Sequence, residues 1–387
     1  MLWLQVSADQ HCLQVMLDEQ FLKPLEGLPI SMDVARDQIS FHTGQAYHRA
    51  GKEKSRREVL RDAGVSDTMQ ACEEHRMASE IHSFKADDGL QIYYRVWKPE
   101  ADDKLVGIIH ILHGMAEHSG RYEEFATFLT SCGYIVYAQD HRGHGMTAER
   151  NHMPYGFFAE QDGWKRIMDD CSMLDQIIMD EQSDELPFFL LGHSMGSFLA
   201  RSVMVGHADL FSGVIAMGTG CSQGMAGKFG LWLAKRHVRK LGARTPDAML
   251  EKLSFASYLK HIPDPRTGSD WLSRDEKMVD RYEHDPQCGF TCTTSFFRDL
   301  LTGLAYANDP ANAEKLPDDL PILLISGSED PVGGWSKGVR KVYDLYHEAG
   351  IGDLTLHLVE GARHELLNET DREETYRFLL DWMEDRQ

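Results

Sequence analysis

The chain has 387 residues, a formal net charge of −21 and a pI near 5.3. That acidity argues against a nucleic-acid partner and against bulk attraction to anionic lipid, because phosphate binding needs a concentrated basic surface. The length suffices for a large α/β core carrying an insertion, and no stretch approaches the roughly 20 apolar residues that span a bilayer.

Seven cysteines, an odd number, supply no disulfide framework and suit a reducing interior. The opening residues Met1-Leu2-Trp3-Leu4-Gln5 show no charged leader followed by an apolar run and small cleavage residues, so the cytoplasm is the expected compartment. Residues 1–76 have scattered apolar positions and a polar, charged part from Arg49 to Arg61. They are expected to be an extension without a core or a catalytic role, with Met77 as a candidate natural start.

Ordered patterning begins after Met77. Ile81–Phe84 and Leu90–Trp97 flank Asp87-Asp88-Gly89 and read as two antiparallel strands of a hairpin. Strand and helix signals then alternate: strands over Leu105–Leu112 and Tyr134–Ala138 with a helix over Tyr122–Thr130 between them, then a helix over Trp164–Met179. Strands over Pro187–Leu191, Gly213–Met217, Ile322–Ser326 and Leu354–Val359 continue the short apolar runs expected of a parallel sheet covered on both faces. Thr370 followed by Glu373 signals a capping box before a closing helix that carries Tyr376, Phe378, Leu379, Leu380 and Trp382. The fold class is α/β.

One interval breaks the alternation. Residues 218–316 carry helical patterns without a convincing strand and are expected to form a helical lid inserted between core segments 77–217 and 317–387. Within it, Leu231, Ala234, Val238 and Leu241 share a helical stripe, Phe229, Trp232 and Leu233 lie elsewhere around it, and Lys228, Lys235, Arg236, Arg239 and Lys240 add local positive charge. Such a helix either touches an interface or an acyl chain, or packs on the core with a solvated basic face.

The chemistry centres on Gly192-His193-Ser194-Met195-Gly196, which follows the apolar run Pro187–Leu191. A serine on a tight strand-to-helix turn needs a strained backbone, and Gly192 and Gly196 remove the Cβ atoms that would clash with the crossing chain. A serine hydroxyl is a weak nucleophile until an adjacent base and a donor pair for the oxyanion activate it. In the chain order nucleophile, acid, histidine, the strand from Ile322 ends in Gly327-Ser328-Glu329-Asp330-Pro331, which offers Asp330 as the acid with Glu329 as its competitor. The strand from Leu354 ends in Glu360-Gly361-Ala362-Arg363-His364, which offers His364 as the base, while His357 is read as a strand residue.

From about residue 80 to 387 the chain resembles the serine-hydrolase branch of the α/β-hydrolase superfamily that contains monoacylglycerol lipases, bacterial lysophospholipases and serine aminopeptidases of the S33 type. His113-Gly114-Met115-Ala116-Glu117-His118-Ser119-Gly120-Arg121-Tyr122 resembles its oxyanion loop, and Asp140-His141-Arg142-Gly143-His144-Gly145 its downstream turn, in which Asp140 and Arg142 are braces. The resemblance implies the α/β-hydrolase fold, Asp330 rather than Glu329 as the acid, and the N–H groups of Met115 and Met195 as oxyanion donors. It implies an ester hydrolase acting on monoacylglycerols, lysophospholipids or similar short-to-medium acyl esters through an acyl-enzyme, without a cofactor, with transient contact to a membrane or micelle through the lid. A peptidase acting at an N-terminal residue, served by lid carboxylates among Asp247, Glu251, Asp264, Asp270, Asp275 and Glu276, is the alternative within the fold, and a binding protein without turnover the alternative outside catalysis.

The spacing of His284, Cys288 and Cys292 imitates a metal site but lacks a fourth ligand and is interrupted by Gly289. His110/His113 and His141/His144 fall within the family segments and need no metal. No phosphate-binding glycine loop joins a strand to a helix, so no nucleotide is expected.

Overall fold

The computed structural model describes residues 79–100, 104–183 and 185–387, so the expectations for residues 1–76 fall outside the described residues. The hairpin forms as read: β1 (Glu80–Lys85) and β2 (Gln91–Trp97) are antiparallel, and Gly89 turns the chain at φ +88° between them. β2 also pairs antiparallel with β4 (Tyr134–Gln139). From β4 onward every neighbour is parallel: β3 (Gly107–Leu112), β5 (Phe188–His193), β6 (Gly213–Met217), β7 (Ile322–Gly327) and β8 (Leu354–Val359), in the order β1-β2-β4-β3-β5-β6-β7-β8.

Successive strand residues face opposite sides, and both sides are buried, which is why β3 to β7 read as largely apolar runs, with His110 the buried polar exception inside β3. Ile108, Phe188, Leu190, Val214, Ala216, Ile322 and Leu324 pack under α3 (Gly163–Glu181), α4 (Met195–His207), α8 (Thr294–Ala307) and α10 (Lys337–Glu348). The alternate residues Ile109, Ile111, Phe189, Leu191, Ile215, Leu323 and Ile325 pack under α1 (Glu123–Ser131) and α11 (Arg372–Glu384). α11 presents Tyr376, Leu379, Leu380 and Met383 at helical spacing to this second core. Its expected capping box does not form: the helix begins at Arg372 with Asp371 at the N-cap, one residue beyond Thr370. The Thr370 N–H donates instead to the buried Glu369 carboxylate, which also receives the Arg363 N–H and the Arg274 guanidinium.

Between β6 and β7 lie five helices, α5 (Gly224–Leu241), α6 (Ala248–Phe255), α7 (Glu276–His284), α8 and α9 (Pro310–Ala313), and the pairing among the described residues there is one isolated bridge, Pro246 to Thr293. They are not alike. α8 belongs to the core through Phe296, Phe297 and Ala307, whereas α5 buries only Ala234, with Leu231 and Val238 half-buried beside it. Leu241 of the expected stripe is 52% exposed. Met225, Phe229 and Trp232 on α5, and Met249 and Leu253 on α6, are more than half exposed. No helix among the described residues is long and apolar enough to cross a membrane.

Candidate active site

The carboxyl ends of β3, β5, β7 and β8 carry the residues of interest, as open α/β sheets place their sites. Ser194 sits between β5 and α4 at φ +54°, ψ −118°, a conformation that costs a non-glycine residue on the order of 1–3 kcal/mol and persists only where the surroundings enforce it. The enforcement is visible. A Cβ on Gly192 would lie 2.1 Å from the Gly196 carbonyl oxygen, and one on Gly196 would lie 2.0 Å from that of Leu112. The Ser194 N–H donates to the Met217 carbonyl of β6 (2.9 Å), which holds the turn onto the sheet.

Asp330 and His364 are brought together. His364 Nδ1 lies 3.0 Å from Asp330 Oδ1, with both side chains buried. Burial opposes ionisation of Asp330, but the charge and hydrogen bond of His364, the Val332 N–H and the Ser326 hydroxyl together hold its carboxyl below the ordinary value. Glu329 is exposed, so of the two neighbouring acids only Asp330 reaches the imidazole. His364 also lies 4.7 Å, ring to ring, from His193 beside Ser194, and within 3.0 Å of a Cβ position on Gly218 at the end of β6. Among the described residues Ser194 Oγ makes no hydrogen bond, so the serine–histidine link of the expected relay is open in this arrangement. Such links are often long in unliganded sites and tighten when substrate is bound.

The loop His113–Tyr122, which the resemblance reads as the oxyanion loop, runs over the elbow: a Cβ on Gly114 would lie 3.2 Å from Ser194 Cβ. Met195 is the first residue of α4, where N–H groups have no acceptor within the helix, and the Met115 N–H has no acceptor among the described residues. His144 holds the loop from one side, its Nε2 accepting the Ala116 N–H while its Nδ1–H donates to the Arg142 carbonyl. Burial pushes His144 down to about 3, which keeps it neutral and able to accept. Glu117 holds the loop from the other side, with Oε1 accepting from the Gly114 N–H, the Tyr122 hydroxyl and His193 Nδ1–H, and Oε2 accepting from Arg121. Burial disfavours the charge, yet His193 and Arg121 keep Glu117 well below the ordinary carboxylate range. Arg121 continues to Glu365 through two hydrogen bonds of 2.6 and 2.7 Å, so one buried ionic network joins the oxyanion loop, the elbow and the histidine loop.

Sequence reasoning quoted Glu117, Arg121, His144 and His193 within motifs but gave them no part, and Glu365 follows His364 directly. The one available signal was the i, i+4 spacing of Glu117 and Arg121, a pairing distance for opposite charges. Asp140 accepts the Ser119 and Met146 N–H groups, and Arg142 pairs with Asp88 and Asp170, so both brace the turn as expected. His357 stacks on Phe378, away from this cluster. His284, Cys288 and Cys292 do not converge, because α7 ends at His284. His118, Asp285 and Cys288 do converge, with ligand atoms within 4.8 Å of one another. Their chemistry opposes a metal: the Gly120 N–H occupies His118 Nδ1, leaving the proton on Nε2 facing Asp285, and burial raises the Cys288 thiol so that the thiolate is disfavoured.

Comparison with known proteins agrees with this geometry. The family model described as serine aminopeptidase, S33 matches residues 103–371. Monoglyceride lipase of Homo sapiens is 31% identical over 288 residues, covering 73% of this chain and 82% of that protein. Monoacylglycerol lipase of Mycolicibacterium smegmatis is 28% identical, covering 78% of this chain and 96% of that protein. Among solved structures, a highly thermostable carboxyl esterase from Bacillus coagulans in complex with glycerol superposes with a TM-score of 0.73 at 28% identity, covering 80% of this chain and 99% of that one. The chain therefore belongs to the S33 serine aminopeptidase family of α/β hydrolases, and it is a carboxylic-ester hydrolase.

Proposed function

We propose that this ester hydrolase works through an acyl-enzyme on Ser194 and takes monoacylglycerols, lysophospholipids or similar short-to-medium acyl esters. The observation that carries the mechanism is the strained Ser194 backbone beside the bonded pair His364–Asp330. Asp330 orients the imidazole through Nδ1, leaving Nε2 to take the Ser194 proton as the hydroxyl attacks the ester carbonyl. The N–H groups of Met115 and Met195 stabilise the oxyanion, the alcohol leaves with the proton returned by His364, and a water activated by the same ring releases the acid.

For the substrate class, residues 218–316 act as the lid between core segments 77–217 and 317–387. The exposed Met225, Phe229, Trp232, Met249 and Leu253, interleaved with Lys228, Lys235, Arg236 and Lys252, suit transient contact with a membrane or micelle that holds a single-chain lipid ester. The monoglyceride lipase and monoacylglycerol lipase relatives support the same class. A cytoplasmic location is supported by the odd, sparse cysteine content of the sequence, which supplies no disulfide framework. The peptidase alternative needs unpaired lid carboxylates, whereas Asp247 binds His237, Glu251 binds Thr291, Asp270 binds Thr267, Asp275 binds Arg372 and Glu276 pairs with Arg266, which leaves the exposed Asp264 as its remaining candidate.

The test is labelling with a fluorophosphonate, followed by rates on glycerol monoesters, lysolipids, aryl esters and aminoacyl anilides. Ser194 is expected to be the labelled residue and glycerol monoesters or lysolipids the preferred substrates. A labelled Ser194→Ala protein, or faster turnover of the anilides, overturns the reading.

A further inference from the structure

The stretch 270–274 lies between α6 and α7 and is stitched along its length to the loop that carries His364. Arg363 Nη1 donates to the carbonyls of Asp270 (2.6 Å) and Ser273 (3.0 Å), and the Glu365 N–H donates to the Leu272 carbonyl (2.7 Å). Ser273 Oγ donates to the Asn368 carbonyl (2.8 Å), and Arg274 Nε to Glu369 (2.9 Å). These bonds fix the backbone on both sides of Trp271. Its indole stands 5.0 Å from the His364 ring, centroid to centroid, at 39°. Phe255 of α6 stacks behind it at 5.7 Å and Tyr258 meets it edge-on at 4.8 Å, so the indole is held from the far side as well.

We infer that Trp271 is a positioning residue for the proposed reaction: it presses the His364 ring into register with Asp330 and stabilises the imidazolium that forms as Ser194 attacks. This rests on the proposed role of His364. An aromatic face attracts a cation within about 6 Å of its centroid, and the separation found here lies inside that range. The attraction grows when the ring becomes charged, so it favours the transition state over the resting enzyme and acts on kcat. The charged and titratable groups facing His364 from the other elements are Asp330 after β7 and His193 at the end of β5, with Glu365 next to it in the chain. The indole supplies the apolar, π-rich side that none of these offers. Because Trp271 comes from the inserted helical segment, it also makes the catalytic base sensitive to how that segment is seated.

The test compares Trp271→Leu and Trp271→Phe with the parent full chain on a soluble aryl ester, with thermal unfolding checked for each variant. The leucine variant is expected to lose about tenfold in kcat, with KM within about twofold and fluorophosphonate labelling of Ser194 slowed in proportion. Phenylalanine, which keeps an aromatic face, is expected to recover most of the loss. Unchanged kcat and labelling in Trp271→Leu, an effect confined to KM, or equal loss in both variants each overturns the inference. Should the leucine variant not fold, Trp271→Met, which fills more of the indole's volume without an aromatic face, takes its place against Trp271→Phe, with the same outcomes supporting or overturning the inference. A parent protein that fails to label at Ser194 overturns the underlying mechanism instead, which separates the two failures.

Discussion

Gly196 and Leu112 approach so closely that a single methyl group cannot be placed between them, a Cβ on the glycine falling 2.0 Å from the Leu112 carbonyl oxygen. The neighbour is backbone of a central strand and cannot retreat. Gly196→Ala is therefore expected to destabilise the protein by about 1–3 kcal/mol or more and to displace Ser194. Gly206, near the end of the same helix with nothing within 4 Å of its Cβ position, is the internal control. Gly206→Ala is expected to stabilise by about 0.5–1 kcal/mol. Denaturant unfolding of both variants checks the contrast.

The two adjacent acids after β7 should differ sharply. Asp330→Asn keeps the size of the side chain but loses the charge that orients His364, and kcat is expected to fall by on the order of 10³–10⁴. Glu329→Gln, on an exposed side chain, is expected to stay within about twofold. Steady-state rates on one ester decide the matter; equal effects at the two positions would refute the assignment.

Glu117→Gln removes the buried charge that the Gly114 N–H, His193 and Arg121 share. Taking one partner from a buried ionic network costs about 3–5 kcal/mol, which unfolding curves will show. Since Gly114 borders Ser194, a drop in kcat larger than any rise in KM is expected, and an intact kcat would mean that the loop holds its shape without Glu117.

Stability should decline on acidification. His144 is held down to about 3, against an ordinary histidine near 6.5. The unfolded chain binds this proton first, so the contribution of neutral His144 is complete above about pH 6.5 and is lost as the pH falls toward 3, about 2 kcal/mol having gone by pH 5. His113 and His141, lowered by burial, act in the same direction, as do Glu117 and Asp330, whose carboxylates are held ionised. His193, where burial is the largest cause but the hydrogen bond and charge of Glu117 and the charge of Glu365 together outweigh it and raise the ring, and Asp170, raised to about 6 by burial, oppose the trend. Thermal midpoints measured from pH 7.5 to 5 should fall by several degrees, and the slope should flatten in His144→Gln.

Most of the sheet could be read from the chain because strands buried on both faces have no polar alternation to blur them: Gly213–Met217 appears at the bounds expected, and so does the half-buried edge strand Leu354–Val359, whose Thr355 and His357 alternate with leucines. The start of α11 could not, since Glu369 captures the Thr370 N–H through contacts with Arg363 and Arg274 that no local pattern records. The stripe on α5 was sound in the middle at Ala234 and failed at Leu241, which the fold leaves exposed although it keeps the helical spacing. Asp330 and His364 were legible as candidates from chain order and loop position, with Asp330 chosen over Glu329 from the family resemblance, whereas Trp271 carried no signal because its meaning lies in a ring more than ninety residues away.

Local physics settled what the amino-acid order alone could say: apolar runs that must be strands in a covered sheet, glycines that permit a crowded turn, and a serine, an acid and a histidine at three strand ends. Only the folded chain decided which groups share a buried environment. There Glu117 becomes a charged clamp because Arg121 and His193 surround it, His144 becomes a neutral acceptor because water is excluded, and an indole from an insertion comes to rest on the imidazole. Burial and through-space charge depend on distances between segments remote in sequence, and those distances exist only after folding.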